Sequence, residues 1–175
     1  MTNKLMVFVA VLVFSGIGYA QQVEVSVVKG GVTLSVSAQK SYQIIAGQDR
    51  VPVLTLECAR KGKKGGHLLI FSPGDEMLLG NESKGLSAAT APQTLSVTVN
   101  GKTEATVWAP YGDVASFTYY GKTEPERIQF IHSLLSAGMV TIEFKPFLTG
   151  VKIKSTFDLT QLREEFSKHA ECSEQ

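Results

Sequence analysis

The chain has 175 residues, of which 43% are hydrophobic and 19% charged, with a formal net charge of +1. That balance excludes disorder of the whole chain, which needs low hydrophobicity and high net charge. It also excludes a general nucleic-acid binder, which would be basic overall, and two cysteines are too few for a disulfide-dense scaffold or a four-cysteine zinc site.

At the N-terminus, Lys4 precedes an apolar run from Leu5 to Val13, and Gly18 and Ala20 stand three and one positions before a candidate cut. A positive start, a short apolar core and small residues at the cut predict a secretory signal over residues 1–20, cleaved after Ala20. The alternative is an uncleaved anchor, but the run falls short of the ~20 residues of a membrane span. No cysteine follows the run, so it carries no lipoprotein attachment point. The expected mature chain, residues 21–175, has lost Lys4 from 17 basic residues and keeps 16 against 16 acidic ones. Its neutrality argues against long-range steering as its main device, and no later segment reads as a membrane span.

Val23, Val25 and Val27 alternate with Glu24 and Ser26, and Val32, Leu34 and Val36 alternate beyond Lys29-Gly30-Gly31. That is a hairpin of half-buried strands. Val51 to Cys58 and His67 to Phe71 are two more strand candidates, joined by Lys61-Gly-Lys-Lys-Gly-Gly66. Residues 72–92 read as a loop with one short strand around Met77 to Leu79. Leu95, Val97 and Val99 alternate up to Asn100-Gly101, the strongest hairpin signal in the chain. Thr103 to Trp108 returns, and Ala115 to Tyr120 is a further strand.

The period then changes from two to about 3.6. Thr123-Glu-Pro-Glu126 has the form of a capping box with Pro125 in the first turn. Ile128, Ile131, Leu134 and Leu135 make the apolar stripe of a helix near 124–137, and Gly138 is its stop. Val140, Ile142 and Phe144 resume the strand pattern, and Val151 to Phe157 gives the last strand. Asp158 caps a second helix near 158–170, with Leu159, Leu162 and Phe166 on its stripe. Roughly seven to nine strands joined mostly as hairpins predict a mainly β domain, an antiparallel β-sandwich with two short helices.

Cys58 lies in the apolar run Val53-Leu-Thr-Leu-Glu-Cys58, and Cys172 lies near the C-terminus. Export places both where disulfides persist. A bond between them would close a loop of over a hundred residues, worth ~4–5 kcal/mol in the chain-entropy model. A metal pair, with His169 three residues before Cys172, and free thiols are the other readings; two ligands do not close a metal site.

From Cys58 onward the order of landmarks resembles a group of small exported bacterial proteins, the VasI-like proteins associated with type VI secretion, and more distantly the invasion-associated locus B proteins. The features are the strand ending Leu54-Thr-Leu-Glu-Cys58, the strand ending in Trp108, and the aromatic strand Phe117-Thr-Tyr-Tyr120. The passage Phe130 to Phe144 and the run Thr156-Phe-Asp-Leu-Thr-Gln-Leu162 before Cys172 complete the set. The likeness covers residues 52–172 and leaves the first hairpin unexplained. Glu57 stands where the group often has Arg, and Thr160 or Gln161 where a Gly is common. The resemblance implies a β-sandwich, a disulfide, an envelope location and no established enzymatic activity.

The chain has no G-x-S-x-G, P-loop or H-E-x-x-H motif. His67, His132 and His169 read as surface or packing residues, because a general base needs a partner and a pocket. Asp75 and Glu76 are adjacent acids in a Pro-Gly turn, which are ordinarily solvated. No catalytic residue, cofactor or metal site is assigned. The basic turn Arg60, Lys61, Lys63 and Lys64 is either a solvated tip or a contact site for an acidic face. Trp108, Tyr111, Tyr119 and Tyr120 are core aromatics or candidate contacts for sugar or protein. Asn81-Glu-Ser83 fits a glycosylation acceptor only in a eukaryotic secretory route. The expectation is a periplasmic or secreted, non-enzymatic protein that binds an envelope protein, such as a secretion accessory. It binds no nucleic acid and keeps no membrane span after cleavage. A glycan or small-ligand binder and an unrecognised hydrolase are the alternatives. A flat exposed aromatic patch would favour protein contact, a concave aromatic groove glycan, and a pocket joining histidine to carboxylate an enzyme.

Overall fold

A computed structural model of the chain describes residues 22–28, 31–43, 49–59, 66–74, 92–111, 116–121, 123–145 and 152–173. The expected signal segment, the expected basic turn and the strand expected around Met77 to Leu79 lie outside the described residues.

Nine strands form one antiparallel sheet. In chain order they are β1 (Val23–Val28), β2 (Gly31–Ser37), β5 (Val53–Ala59), β6 (His67–Ser72), β7 (Gln93–Val99), β8 (Lys102–Tyr111), β9 (Ser116–Tyr119), β10 (Met139–Phe144) and β11 (Ile153–Asp158). Two-residue strands β3 (Tyr42–Gln43) and β4 (Asp49–Arg50) pair separately. The order across the main sheet is β1-β2-β5-β6-β9-β8-β7-β10-β11. Three helices follow the late strands: α1 (Glu124–Ala137), α2 (Thr160–Lys168) and α3 (Ala170–Ser173).

The expected sandwich is replaced by a single curled sheet, a half-barrel. Past the end of β2, the Gln39 N–H donates to the Thr156 carbonyl of β11 at 2.9 Å, so opposite margins of the sheet approach each other. The concave face holds Leu34, Leu54, Leu56, Phe71, Leu95, Trp108, Phe117, Ile142 and Phe157, all fully buried. Helices cover that face. α1 packs on β6, β7 and β10, α2 on β1 and β2, and α3 on β2 and β5. Alternation shows that one face of each strand is buried, and a helix stripe buries it as well as a second sheet does. Phe71 is the hub: its ring lies 5.2 Å from Phe144 and 6.3 Å from both Phe157 and Trp108, all edge-on. Aromatic burial of this kind contributes roughly 1.5–3 kcal/mol per side chain.

The end signals of α1 act as the sequence predicts. Thr123 Oγ1 accepts from the Glu126 N–H and the Glu126 carboxylate accepts from the Thr123 N–H, closing the capping box. Gly138 takes φ 73° at the C-terminus, a left-handed value that suits glycine. The second expected helix is split. Asp158 ends β11, its Oδ1 accepting from the Thr160 N–H at 2.9 Å, and the chain breaks at His169 between α2 and α3. Beyond that break Cys172 reaches Cys58, with the two Cα atoms 5.0 Å apart and 114 positions between them. The disulfide reading of the two cysteines therefore holds.

Candidate functional site

The site begins with a mismatch of strand lengths. β8 has ten residues and β9 four. Along β8, β9 pairs only with Trp108 to Tyr111, and one further bond runs from the Tyr120 N–H to the Val107 carbonyl at 3.0 Å. The chain then leaves the sheet at Gly121, which presses on the first turn of α1: a Cβ there would meet Arg127 Cγ at 2.5 Å and its backbone N at 3.1 Å. Among the described residues, no strand pairs with Thr103 to Thr106 on that side.

The register settles which backbone groups face the gap. Asn100 and Gly101, with φ of 50° and 77°, form a two-residue turn that closes on Val99 and Lys102. In such a hairpin the closing pair exchanges hydrogen bonds and the pairs then alternate. Lys102, Glu104 and Thr106 thus bond to β7, and the N–H and C=O of Thr103 and Ala105 point the other way. Pro110, with no N–H to give, falls on the β7-facing parity beyond the last β7 pair at Gln93 and Trp108.

Between this edge and α1 lies a groove of about 510 Å³. Glu104, Thr106 and Val107 line it from β8, Tyr119 and Tyr120 from β9 and its exit, and Glu126, Gln129, Phe130 and Ser133 from α1. The Tyr119 ring stacks on Phe130 at 4.1 Å and meets Trp108 edge-on at 5.8 Å. Burial, followed by the charges of Glu126 and Glu104, holds the Tyr119 hydroxyl above its ordinary pKa. Both carboxylates therefore act on the same ring, one from β8 and one from α1. Glu104 also pairs with Lys102 at 2.6 Å, an exposed pair and so a weak one.

The structure disperses the aromatic set named in the sequence. Trp108 is fully buried, its indole N–H donating to Thr106 Oγ1 at 2.8 Å, so it offers no face to a ligand. Tyr119 is half-buried and Tyr120 is 65% exposed. Tyr111 sits on the convex face, donating to Glu57 Oε2 at 2.8 Å. Burial first, then that bond and the carboxylate's charge, push its pKa up to about 12. Arg60, Lys61, Lys63, Lys64, Asp75 and Glu76 lie outside the described residues.

Sequence reasoning missed the helical half of the groove. Glu126, Gln129, Phe130 and Ser133 follow i, i+3, i+4, i+7 spacing, so a second face of α1 was readable. Nothing local says that this face meets β8. The histidines are apart from the groove. His67 is buried opposite Cys58, with Nε2 2.9 Å from the Cys172 carbonyl, and burial lowers its pKa. His132 is exposed on α1 and meets the Phe166 ring edge-on at 5.6 Å. His169 is partly buried at the α2–α3 break. Among the described residues, no group of three or more His, Cys, Asp or Glu could hold a metal ion. Among them, too, no helix is long and apolar enough to cross a membrane.

Comparison with protein-family models, with curated proteins and with solved structures finds no match to this chain.

Proposed function

We propose that this is an exported, non-enzymatic protein of the bacterial envelope, periplasmic or secreted, that binds another protein, in the manner of a VasI-like secretion accessory. The buried Cys58–Cys172 bond suits an oxidising compartment. The observation that carries the binding role is the open stretch of β8 beside an aromatic-lined groove. Unpaired strand edges are templates for another chain, and aromatic side chains are enriched at protein contacts.

Concavity alone would favour a glycan. Sugar stacking needs a free ring face, however, and Tyr119 is already stacked on Phe130 while Trp108 is buried. Among the described aromatics of the groove, Tyr120 offers the exposed ring. A hydrolase is less supported: of the two carboxylates in the groove, Glu104 is held by Lys102 in an exposed pair and Glu126 is engaged in the capping box of α1.

The test is in-cell crosslinking from Tyr120 in the full chain, followed by mass spectrometry, with isolated peptidoglycan sacculi as a parallel binding target. Specific protein adducts that disappear when the crosslinker is moved to exposed Lys152, with no sacculus binding, are expected. Sacculus binding without a protein adduct would replace this reading with the glycan one. The Arg60–Lys64 turn is a second proposed contact. Its change to serine should reduce salt-sensitive recovery of the same partner and leave thermal unfolding nearly unchanged.

A further inference from the structure

We propose that the groove between β8 and α1 receives an extended peptide segment of a partner, which adds as a strand to the open edge of β8 and carries alternating basic and apolar side chains. This rests on the protein-binding reading above and names its site and the chemistry of the partner.

Three independent features set the occupant. The first is the backbone. The N–H and C=O of Thr103 and Ala105 and the N–H of Val107 face the gap, while the Val107 carbonyl is already taken by Tyr120. Main-chain groups in that array pair with an extended chain and with no other common backbone shape. Five residues from Thr103 to Val107 span roughly 16 Å, enough for a segment of about five residues.

The second is charge. Glu104 and Glu126 stand on opposite walls of the groove, one from the strand and one from the helix, and Tyr119 lies within the field of both. The one cation paired there, Lys102, is 79% exposed along its side chain. A lysine or arginine entering the groove would lay its aliphatic stem on Tyr119 and Phe130 and place its charge between the two carboxylates. An acidic segment would be repelled by both.

The third is the alternation that a strand imposes. Residues that do not enter the groove point outward past its rim, where Val107 is 47% exposed and Tyr120 is 65% exposed. Val107 opposes Tyr120 through the bond that ends the β8–β9 ladder. Successive side chains of an added strand would thus meet an acidic aromatic groove on one side and an apolar pair on the other. An alternating Lys/Val segment fits both.

The probe is a fluorescent heptapeptide alternating Lys and Val, titrated into the full disulfide-bonded protein and followed by anisotropy and by amide NMR. Two further peptides carry N-methyl groups on one or the other set of alternate residues, and a fourth has Glu in place of Lys. Binding should shift the Thr103, Ala105 and Val107 amides and slow their hydrogen exchange. One N-methylated form should bind normally and the other roughly tenfold more weakly or worse. The Glu peptide should not bind. Ala105→Pro removes a donor that faces the gap and no bond to β7, and an edge position in extended backbone tolerates proline, so it should keep the fold and lose binding. Glu104→Lys is the second variant, and it should abolish the preference for the Lys peptide over the Glu peptide.

Equal binding of both N-methylated forms, or peptide-induced shifts confined to β1 or β11, would overturn the assignment. So would self-association of the wild type that Ala105→Pro abolishes, because the occupant would then be a second copy. If the crosslinked partner is recovered equally with wild type and Ala105→Pro, this site fails while the protein-binding reading stands. If no partner is recovered at all, that reading fails first.

Discussion

His67 carries the sharpest pH consequence of any single side chain described. Its Nε2 faces the Cys172 carbonyl, which can only accept, so Nε2 bears the proton and the neutral ring already satisfies the contact. Burial is the main reason that its pKa lies below the ordinary 6.5, with the charge of nearby His132 adding to it. The unfolded chain therefore takes up a proton first as pH falls. The His67 contribution to stability is present above 6.5 and is lost as pH falls from there through the folded-state value. Thermal unfolding measured from pH 8 down to pH 5 should show this loss, and His67→Gln should flatten it. An equally steep profile in His67→Gln would assign the effect elsewhere. Tyr111 and Glu57 make a second residue-level case. Tyr111→Phe removes the donor to a half-buried carboxylate and should lower stability by about 1 kcal/mol, discounted for partial exposure. In a double-mutant cycle with Glu57→Gln, the coupling should account for most of that loss.

Secondary elements end where local chemistry ends them. The α1 capping box satisfies two backbone donors at once, so Thr123→Ala should cost about 1 kcal/mol in chemical denaturation while leaving the groove intact. A loss below a few tenths would mean that packing of Ile131, Leu134 and Leu135 alone positions the helix. The Asn100-Gly101 turn sets the register of β7 and β8 and hence which β8 amides face the gap. Gly101, at φ 77°, has open space around it, so Gly101→Val tests backbone strain without a clash. It should destabilise the hairpin by roughly 1–2 kcal/mol. Hydrogen exchange at Lys102 and Glu104, whose N–H groups bond to β7, would report it.

The whole molecule is a curled sheet whose concave face is closed by helices from its second half, and the disulfide ties the last helix to a central strand. Cys58 is on β5, between β2 and β6, and Cys172 is 2% exposed on α3. Replacing both cysteines with alanine frees a loop of 114 positions and should cost roughly 3–5 kcal/mol. Guanidinium unfolding of the double variant measures it. Intact mass after alkylation without reduction should show no modified cysteine in the wild type, and two alkylated thiols would remove the bond from the account.

Local patterns were enough to identify both ends of α1, the Asn100-Gly101 turn, the inward faces of β2, β7 and β10, and the two cysteines as a candidate pair. Each of these depends on neighbours a few positions apart, except the cysteine pair, which was read from the apolar run around Cys58 and from the expectation of export. The curl of the sheet was not legible, because alternation reports that a face is buried and not whether a sheet or a helix buries it. The break at His169 was hidden for a similar reason: Leu159, Leu162 and Phe166 read as one stripe, while closure onto Cys58 depends on a residue far away in the chain. The groove was half legible, with Tyr119 and Tyr120 marked by their aromaticity and the α1 wall, Phe130 included, missed because the stripe read on that helix was Ile128, Ile131, Leu134 and Leu135. Its open edge comes from β9 stopping after four residues beside a strand of ten, and where one strand outruns its neighbour is decided by long-range pairing, when the chain turns away at Gly121 to dock α1.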